Sequence, residues 1–114
     1  MCDRTFEFGC AVIAEYRRQR PFDEAERELW TELLRTKTSL ANNSAESTGA
    51  QSRRDFVLKF QISLKEAREC FQLLRTLRHV SPDRHAQLTA LLKDCDEIIA
   101  ILVASLKTAK RERT

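Results

Sequence analysis

The sequence predicts an all-α protein, an antiparallel up-down-up-down four-helix bundle. Three observations indicate this fold. The 114 residues include only two Gly and two Pro, which leaves little turn chemistry for a sheet with many hairpins. Apolar residues recur with helical spacing along nearly the whole chain. The connections between the periodic segments are short, and helices joined by short connections pack antiparallel to each other.

Composition places the chain among globular proteins with a single domain, residues 1–114. The apolar share is 42% and the charged share 32%, so we expect neither disorder nor a membrane protein. No apolar run approaches the roughly 18–20 residues of a membrane span. The N-terminus lacks a basic region followed by an apolar core, so no export signal is visible. A cytoplasmic location is expected.

The first helix is predicted over residues 4–20. Phe6, Cys10, Ile13 and Tyr16 follow each other at i, i+4, i+7 spacing and would form its core face. Pro21 either ends this segment or opens the next one.

The second helix is predicted over residues 22–48, because Asp23 and Glu24 suit the positive end of the helix dipole. Its inward residues are Leu29, Trp30, Leu33, Leu34 and Leu40. The last turns place Asn43, Ser44 and Ser47 near the same face, which is a polar end for a core helix.

The third helix, residues 53–79, follows a turn with clear local chemistry. Gly49 suits the position after a helix end, because it adopts a left-handed conformation without a Cβ clash. Ser52 is the predicted N-cap, and Asp55 stands where a capping box has Glu or Gln. One stripe then carries Phe56, Phe60, Ser63, Ala67, Phe71 and Leu74.

The fourth helix is predicted over residues 82–110, with Ser81 as cap and Pro82 at the first helical position. Its inward stripe is Leu88, Leu92, Cys95, Ile99, Leu102 and Leu106.

The sequence offers no recognisable catalytic, metal or cofactor site. The four cysteines lie far apart, so we expect Cys10, Cys70 and Cys95 in the core and Cys2 as a loose terminal thiol. A bundle that binds two irons carries Glu three residues before His, but Thr76 and Pro82 precede His79 and His85. We therefore expect no cofactor, no metal and no enzymatic activity.

Several apolar residues lie off the predicted core stripes and favour self-association. Helix four is apolar nearly all round between Ile98 and Ala104, as expected of a helix buried on more than one side. The predicted oligomer interface comprises Phe8, Val12, Leu58, Ile62, Leu73, Ile98 and Ile101. The alternative is that these are the scattered apolar residues found on any protein surface.

Basic residues concentrate on helix three. Residues 51–80 carry seven basic and three acidic residues, a net charge of +4, whereas residues 21–50 carry a net charge of −3. Arg54, Lys65, Arg68 and Arg75 fall on one side of the helix and would follow a phosphate backbone. A second predicted nucleic-acid contact is the basic end of helix four, Lys107, Lys110 and Arg111. The alternatives are a solvated helix face and compensation of the helix dipole.

The middle of the chain resembles a known family. The runs Leu33–Asn43, Gly49–Phe56 and Ile62–Glu69 are similar to the bacterial four-helix-bundle family of intervening-sequence proteins, some of which are encoded in extra segments of large-subunit ribosomal RNA genes. The similarity covers most of the chain beyond helix one, with departures at Lys37 and Ser47. The family-like signature residues are Asn43, Glu46, Gly49, Ser52, Asp55 and Phe56.

The resemblance implies a ring-like homopentamer without established enzymatic activity. It also implies a nucleic-acid role by association, because accessory proteins of diversity-generating retroelements resemble this fold. We therefore expect a homo-oligomeric accessory protein whose partners are itself and RNA or DNA, and no membrane. The alternatives are a structural or protein-protein scaffold with no nucleic-acid role, and a bundle that holds a metal or small molecule.

The paired positions Asn43 and Glu46 allow two interpretations. They could contact a partner or an RNA base, or Asn43 could form hydrogen bonds within the bundle and fix its register. The structural interpretation is the favoured one, with Glu46 exposed or at a subunit interface.

Overall fold

Four long helices make up the part of the protein that the structure describes. The computed structural model describes residues 2–20 and 22–111, so that Met1, Pro21 and residues 112–114 lie outside the described part. The helices are α1 (Cys2–Gln19), α2 (Glu24–Thr48), α3 (Arg53–Val80) and α4 (His85–Arg111), and a 3₁₀ turn, Pro82–Arg84, precedes α4. Residues described by the structure form no strand. The all-α prediction is confirmed.

The helices close into an antiparallel bundle of 50 × 20 × 19 Å. Each helix packs against the next one along the chain, and α1 also packs against α4. Contacts between α2 and α3 run in opposite directions along the two helices, because Asn43 meets Glu66 and Glu46 meets Lys59. Because α3 packs against α2 on one side and against α4 on another, its remaining face is exposed to solvent.

Two of the predicted helix starts are confirmed by hydrogen bonds. The Asp23 carboxylate accepts from the Glu26 backbone N–H at 2.8 Å, and the Ser52 hydroxyl accepts from the Asp55 backbone N–H at 3.1 Å. Each cap satisfies a backbone donor that the helix leaves without a partner.

Ser81 behaves differently from the prediction. It precedes the 3₁₀ turn, but its side chain makes no capping bond. Instead its hydroxyl donates to Glu26 Oε2 at 2.8 Å, and Arg84 binds the same oxygen at 3.3 Å. A cap would need the hydroxyl oxygen to accept from a backbone N–H, but the orientation that lets Ser81 donate to Glu26 ties the turn to α2 instead.

Gly49 also differs from expectation. It ends α2 at φ −100°, ψ 13°, outside the left-handed region, and its N–H donates to the Glu46 carbonyl at 3.1 Å. A Cβ built at this position would meet only the Glu46 carbonyl oxygen, at 3.8 Å. The turn therefore does not require glycine for its conformation.

The core face of α1 was predicted wrongly. Phe6 is 65% exposed and Cys10 is exposed, whereas Phe8 and Val12 are buried in the core. Gly9 lies on the buried side, where an added Cβ would be 3.1 Å from Lys37 Cδ. Gly9 leaves room for the Lys37 side chain of α2, and Phe8 and Val12 form the face of α1 that packs into the core.

The central core contains most residues of the predicted stripes of the other helices, and it also includes Leu77 and Ile98, which those stripes left out. Its largest fully buried side chains are Trp30, Leu33, Leu40, Leu74, Leu77, Leu88, Ile98 and Leu102. Phe56, Phe71 and Ile99 are only partly buried and pack against it. At the end where α1 meets α2, Trp30 packs against Tyr16 and Phe22, with ring centroids 5.9 and 5.7 Å apart.

The cysteines divide into two environments. Cys70 and Cys95 are buried as predicted, but Cys10 is exposed, and the side chain of Cys2 lies outside the described part. Cys95 Sγ donates to the Ala67 carbonyl at 3.2 Å. Burial raises the pKa of Cys95 to about 12 and raises the pKa of Cys70 as well, so both remain thiols.

The described residues contain no candidate membrane span and no candidate metal site. No helix there is both long enough and apolar enough to cross a membrane. Within the same residues, no group of three or more His, Cys, Asp or Glu side chains is placed to hold a metal ion.

Candidate nucleic-acid interface

The outer face of α3 carries the basic residues that the sequence singled out. Arg54, Lys65, Arg68 and Arg75 are all exposed along this face, which we call the helix-three strip. The fold exposes it because α3 uses its other sides to contact α2 and α4. Lys65 and Arg68 lie in a groove, Arg75 lies in a cleft beyond it, and Arg54 lines neither.

The first groove, of about 770 Å³, crosses α3 diagonally from α2 to α4. Leu64 and Leu73 contribute apolar walls, and Gln61 and Gln72 add amide groups beside Lys65 and Arg68. The remaining lining residues come from α2 and α4 or from the rim of α3: Glu32, Thr36, Glu69, Leu106 and Lys110.

Charge in this groove is mixed but basic on balance. Three cations, Lys65, Arg68 and Lys110, face two carboxylates, Glu32 and Glu69. Glu32 is already engaged by Arg35 at 3.0 Å, which neutralises part of the acidic charge. The groove therefore favours an anionic ligand with some apolar surface.

The second cleft, of about 510 Å³, continues the strip to the turn between α3 and α4 and shares Gln72 with the first groove. No carboxylate lines it. The residues that do are Gln72, Arg75, Thr76, Arg78, His79, Pro82 and His85. The sequence analysis singled out Arg75, assigned no site to His79 and His85, and missed Arg78. The available signal was the spacing of residues 72, 75, 76 and 79, which places them on one helix face.

The strip differs from the paired cations elsewhere on the surface. Arg4 binds Glu97 at 2.8 Å, and Lys59 binds Glu46 at 2.8 Å. Within the described chain, by contrast, Lys65, Arg68 and Arg75 take part in no salt bridge. Although Glu69 lies in the same groove as Lys65 and Arg68, none of the three cations is held in an ion pair with a described residue, so they are available to an external anion.

The basic end of α4 joins the strip only in part. Lys107, Lys110 and Arg111 are all exposed in its last turns, where positive charge also offsets the helix dipole. Lys110 lines the first groove, whereas Lys107 and Arg111 line neither groove nor cleft.

Comparison with known proteins identifies the family. A family model described as 23S rRNA-intervening sequence protein matches residues 1–104. The chain belongs to this family. The 1.70 Å crystal structure of a protein of unknown function from the S23 ribosomal protein family of Bacteroides thetaiotaomicron VPI-5482 is similar, at 30% identity and a TM-score of 0.80, over 93% of this chain and 97% of that chain. No curated protein matches.

In this intervening-sequence family member, the predicted signature residues hold α2 against α3. Asn43 Nδ2 donates to Glu66 Oε1 at 2.9 Å, and Glu46 accepts from Lys59 Nζ at 2.8 Å. Between them, the Ser44 hydroxyl lies 3.5 Å from the Ser63 hydroxyl in the core. These contacts agree with the structural interpretation of Asn43.

The predicted interface residues do not share one surface in this family member. Phe8, Val12 and Ile98 are buried in the core of the single chain, so they are unavailable to a second subunit. The sequence analysis placed Phe8 and Val12 outside the core because it chose the wrong face of α1. It placed Ile98 outside because α4 buries a wider part of its circumference than one stripe. Leu58 and Ile101 are exposed, Ile62 is half-buried, and Leu73 lines the first groove. Phe6 and Val80 are exposed apolar residues that the sequence analysis did not assign to an interface.

Proposed function

We propose that this protein is a non-enzymatic RNA-binding accessory protein that holds a phosphate backbone along the helix-three strip. The observation that carries the proposal is that Lys65, Arg68 and Arg75 lie in a groove and a cleft joined at Gln72, without salt bridges to the rest of the described chain. The family description, which refers to an intervening sequence of 23S rRNA, supports RNA as the nucleic acid. A cytoplasmic site of action is part of the proposal.

The dimensions of the strip suit several phosphates. Residues 65 and 75 are ten positions apart, or about 15 Å along the helix axis. Phosphates follow each other at about 3.4 Å per strand along a duplex axis, so about four of them span this distance. Each phosphate contact releases condensed counterions, which makes such binding steeply dependent on salt.

Self-association would extend the surface, and we propose a homo-oligomer as part of the function. The exposed apolar side chains Phe6, Leu58, Val80 and Ile101 support it, because an exposed apolar residue gains by burial between subunits. The resemblance to intervening-sequence proteins implies a pentamer, in which five strips would act on one RNA with increased avidity. Light scattering after size exclusion tests this part independently of RNA, and a monomer at every concentration would contradict it.

The RNA test compares two variants that lose equal charge. One carries K65E, R68E and R75E in the strip, and the control carries R17E, R27E and K93E at exposed positions outside the groove and the cleft. Fluorescence anisotropy with a labelled single-stranded RNA measures affinity at several salt concentrations. We expect the strip variant to lose binding and the control to retain it, and the slope of log affinity against log salt to fall by about 2 in a K65Q/R68Q/R75Q variant.

Equal loss in the strip variant and the control would reject the helix-three strip as the binding surface. No retention of RNA by the unaltered protein at physiological salt would reject the RNA function. In that case a defined oligomer would favour the alternative, a protein scaffold whose basic face is only solvated.

A further inference from the structure

The cleft at the turn between α3 and α4 has a composition that the rest of the strip lacks. Two arginines and two histidines converge on it, Arg75, Arg78, His79 and His85, and all of its other lining residues are uncharged. We propose that this cleft is a binding site for a single phosphate group. The identity of the natural ligand rests on the proposed RNA function, whereas the site itself does not.

The side chains of the cleft are oriented by a shared hydroxyl. Arg78 donates from a guanidinium nitrogen to Thr89 Oγ1 at 3.3 Å, and the same oxygen lies 3.4 Å from His85 Nδ1. A guanidinium can only donate, so Thr89 Oγ1 accepts from Arg78, and Nδ1 of His85 shares the same hydroxyl as donor or acceptor according to its tautomer. Thr89 therefore links Arg78 of α3 to His85 of α4 and orients both side chains at the cleft.

The neighbouring charges leave the cleft positive. Arg84, beside it in the 3₁₀ turn, is engaged by Glu26 at 3.3 Å and lies over the ring of Phe22, both outside the cleft. Asp83 is exposed and does not line the cleft.

A phosphate matches this set of donors. Its oxygens accept several charge-assisted hydrogen bonds, and the planar guanidinium presents paired donors to two oxygens at once. Gln72 adds a side-chain amide, whereas the Thr76 hydroxyl already donates to the Gln72 carbonyl at 2.8 Å. The imidazole rings of His79 and His85 add ring N–H donors to the same set.

The test is an NMR titration of the full chain with inorganic phosphate at pH 6.0, against sodium chloride at equal ionic strength. We expect saturable shifts in the imidazole signals of His79 and His85. An R75Q/R78Q variant should bind about tenfold or more weakly, whereas an R17Q/K93Q variant of equal charge should bind like the unaltered protein. No shift beyond that of chloride, or equal weakening in both variants, would overturn the site.

A histidine variant isolates the contribution of the two imidazoles. At one fixed pH, H79N/H85N should bind phosphate more weakly than the unaltered protein, because it lacks the imidazole contacts to the anion. Equal affinity in the two proteins would show that the histidines do not contact the ligand and would overturn their part in the site.

RNA probes identify the source of the phosphate and separate this inference from the proposed function. Preference for a 5′-phosphate RNA over a 5′-hydroxyl RNA of the same sequence would assign the cleft to a terminal phosphate, and equal binding would assign it to the backbone. Binding of inorganic phosphate without RNA binding would reject the proposed function and keep the site. RNA binding with no phosphate response would reject the site alone.

Discussion

Asn43 of α2 donates a hydrogen bond to the carboxylate of Glu66 of α3 at 2.9 Å, and burial raises the pKa of that carboxyl group even though the bond lowers it. The pair lies where α2 and α3 meet, one helical turn from the Glu46 to Lys59 salt bridge. It joins two segments that carry the family resemblance. The interaction thus fixes the register of α2 against α3 while half-burying a carboxylate.

The raised pKa of Glu66 predicts a pH dependence of stability. Between the ordinary carboxyl value of 4.5 and the raised value, the folded state binds more protons than the unfolded state, so this group makes stability fall as the pH rises. An E66Q variant keeps an oxygen to accept from Asn43 but does not ionise. Urea unfolding should show that E66Q gains stability relative to the unaltered protein when the pH is raised from 4.5 to 7. An exposed control, E28Q, lies away from Glu66 and should not, and the same trend in both variants would contradict this account.

Ile98 and Ile101 form a matched pair for the core. Ile98 is fully buried in the single chain, and Ile101 is 40% exposed one turn later. We expect I98A to lower the free energy of unfolding by about 2–5 kcal/mol and I101A by about 1 kcal/mol or less, measured by urea denaturation. Similar losses for both would mean that Ile101 is also buried in the folded protein, as it would be in an oligomer.

The Ser52 cap should stabilise α3 measurably. Because its hydroxyl accepts from the Asp55 backbone N–H at 3.1 Å, S52A should lower the free energy of unfolding by about 1 kcal/mol. The neighbouring Q51A, at an exposed position before the helix, serves as the control. If circular dichroism melts showed no difference between the two variants, the cap would contribute nothing.

Thiol reactivity should separate the exposed cysteine from the buried ones. In a C2S variant at pH 8, Ellman's reagent should label Cys10 rapidly. Cys70 and Cys95 should react only after urea unfolding, because burial raises the pKa of both thiols and blocks access. A C2S/C10S variant is the control and should give no rapid phase. Fast labelling of that control would contradict the burial of this pair.

Local chemistry made much of the fold predictable. The number of helices, the Ser52 cap and the inward positions of Trp30 and Leu102 follow from residues close in sequence, because caps and helical spacing act within a few turns. The predicted Ser81 cap does not form, because its hydroxyl is oriented by Glu26, which lies 55 positions away in the sequence.

Of the candidate nucleic-acid interface, the sequence predicted only the helix-three strip. Helical spacing places Lys65, Arg68 and Arg75 on one face, so the sequence alone indicated this part of the basic surface. The cleft beyond it needs His85 from α4 beside Arg78 from α3, and only the path of the turn brings them together. Lys110 lines the first groove because α4 packs against α3, which is also a tertiary contact.

By itself, the sequence determined the all-α class, the order of four helices, the polar seam near Asn43 and the basic character of α3, since each depends on spacing along one helix or on residues a few positions apart. Tertiary structure alone decided which face of α1 is buried, because Phe6 and Phe8 belong to two competing apolar faces. In the bundle Phe8 is 3% exposed and Phe6 is 65% exposed, and Gly9 beside Phe8 leaves room for the Lys37 side chain of α2. Such contacts between helices have no periodic signal in the sequence, and they also decide which charges of this protein meet in one cleft.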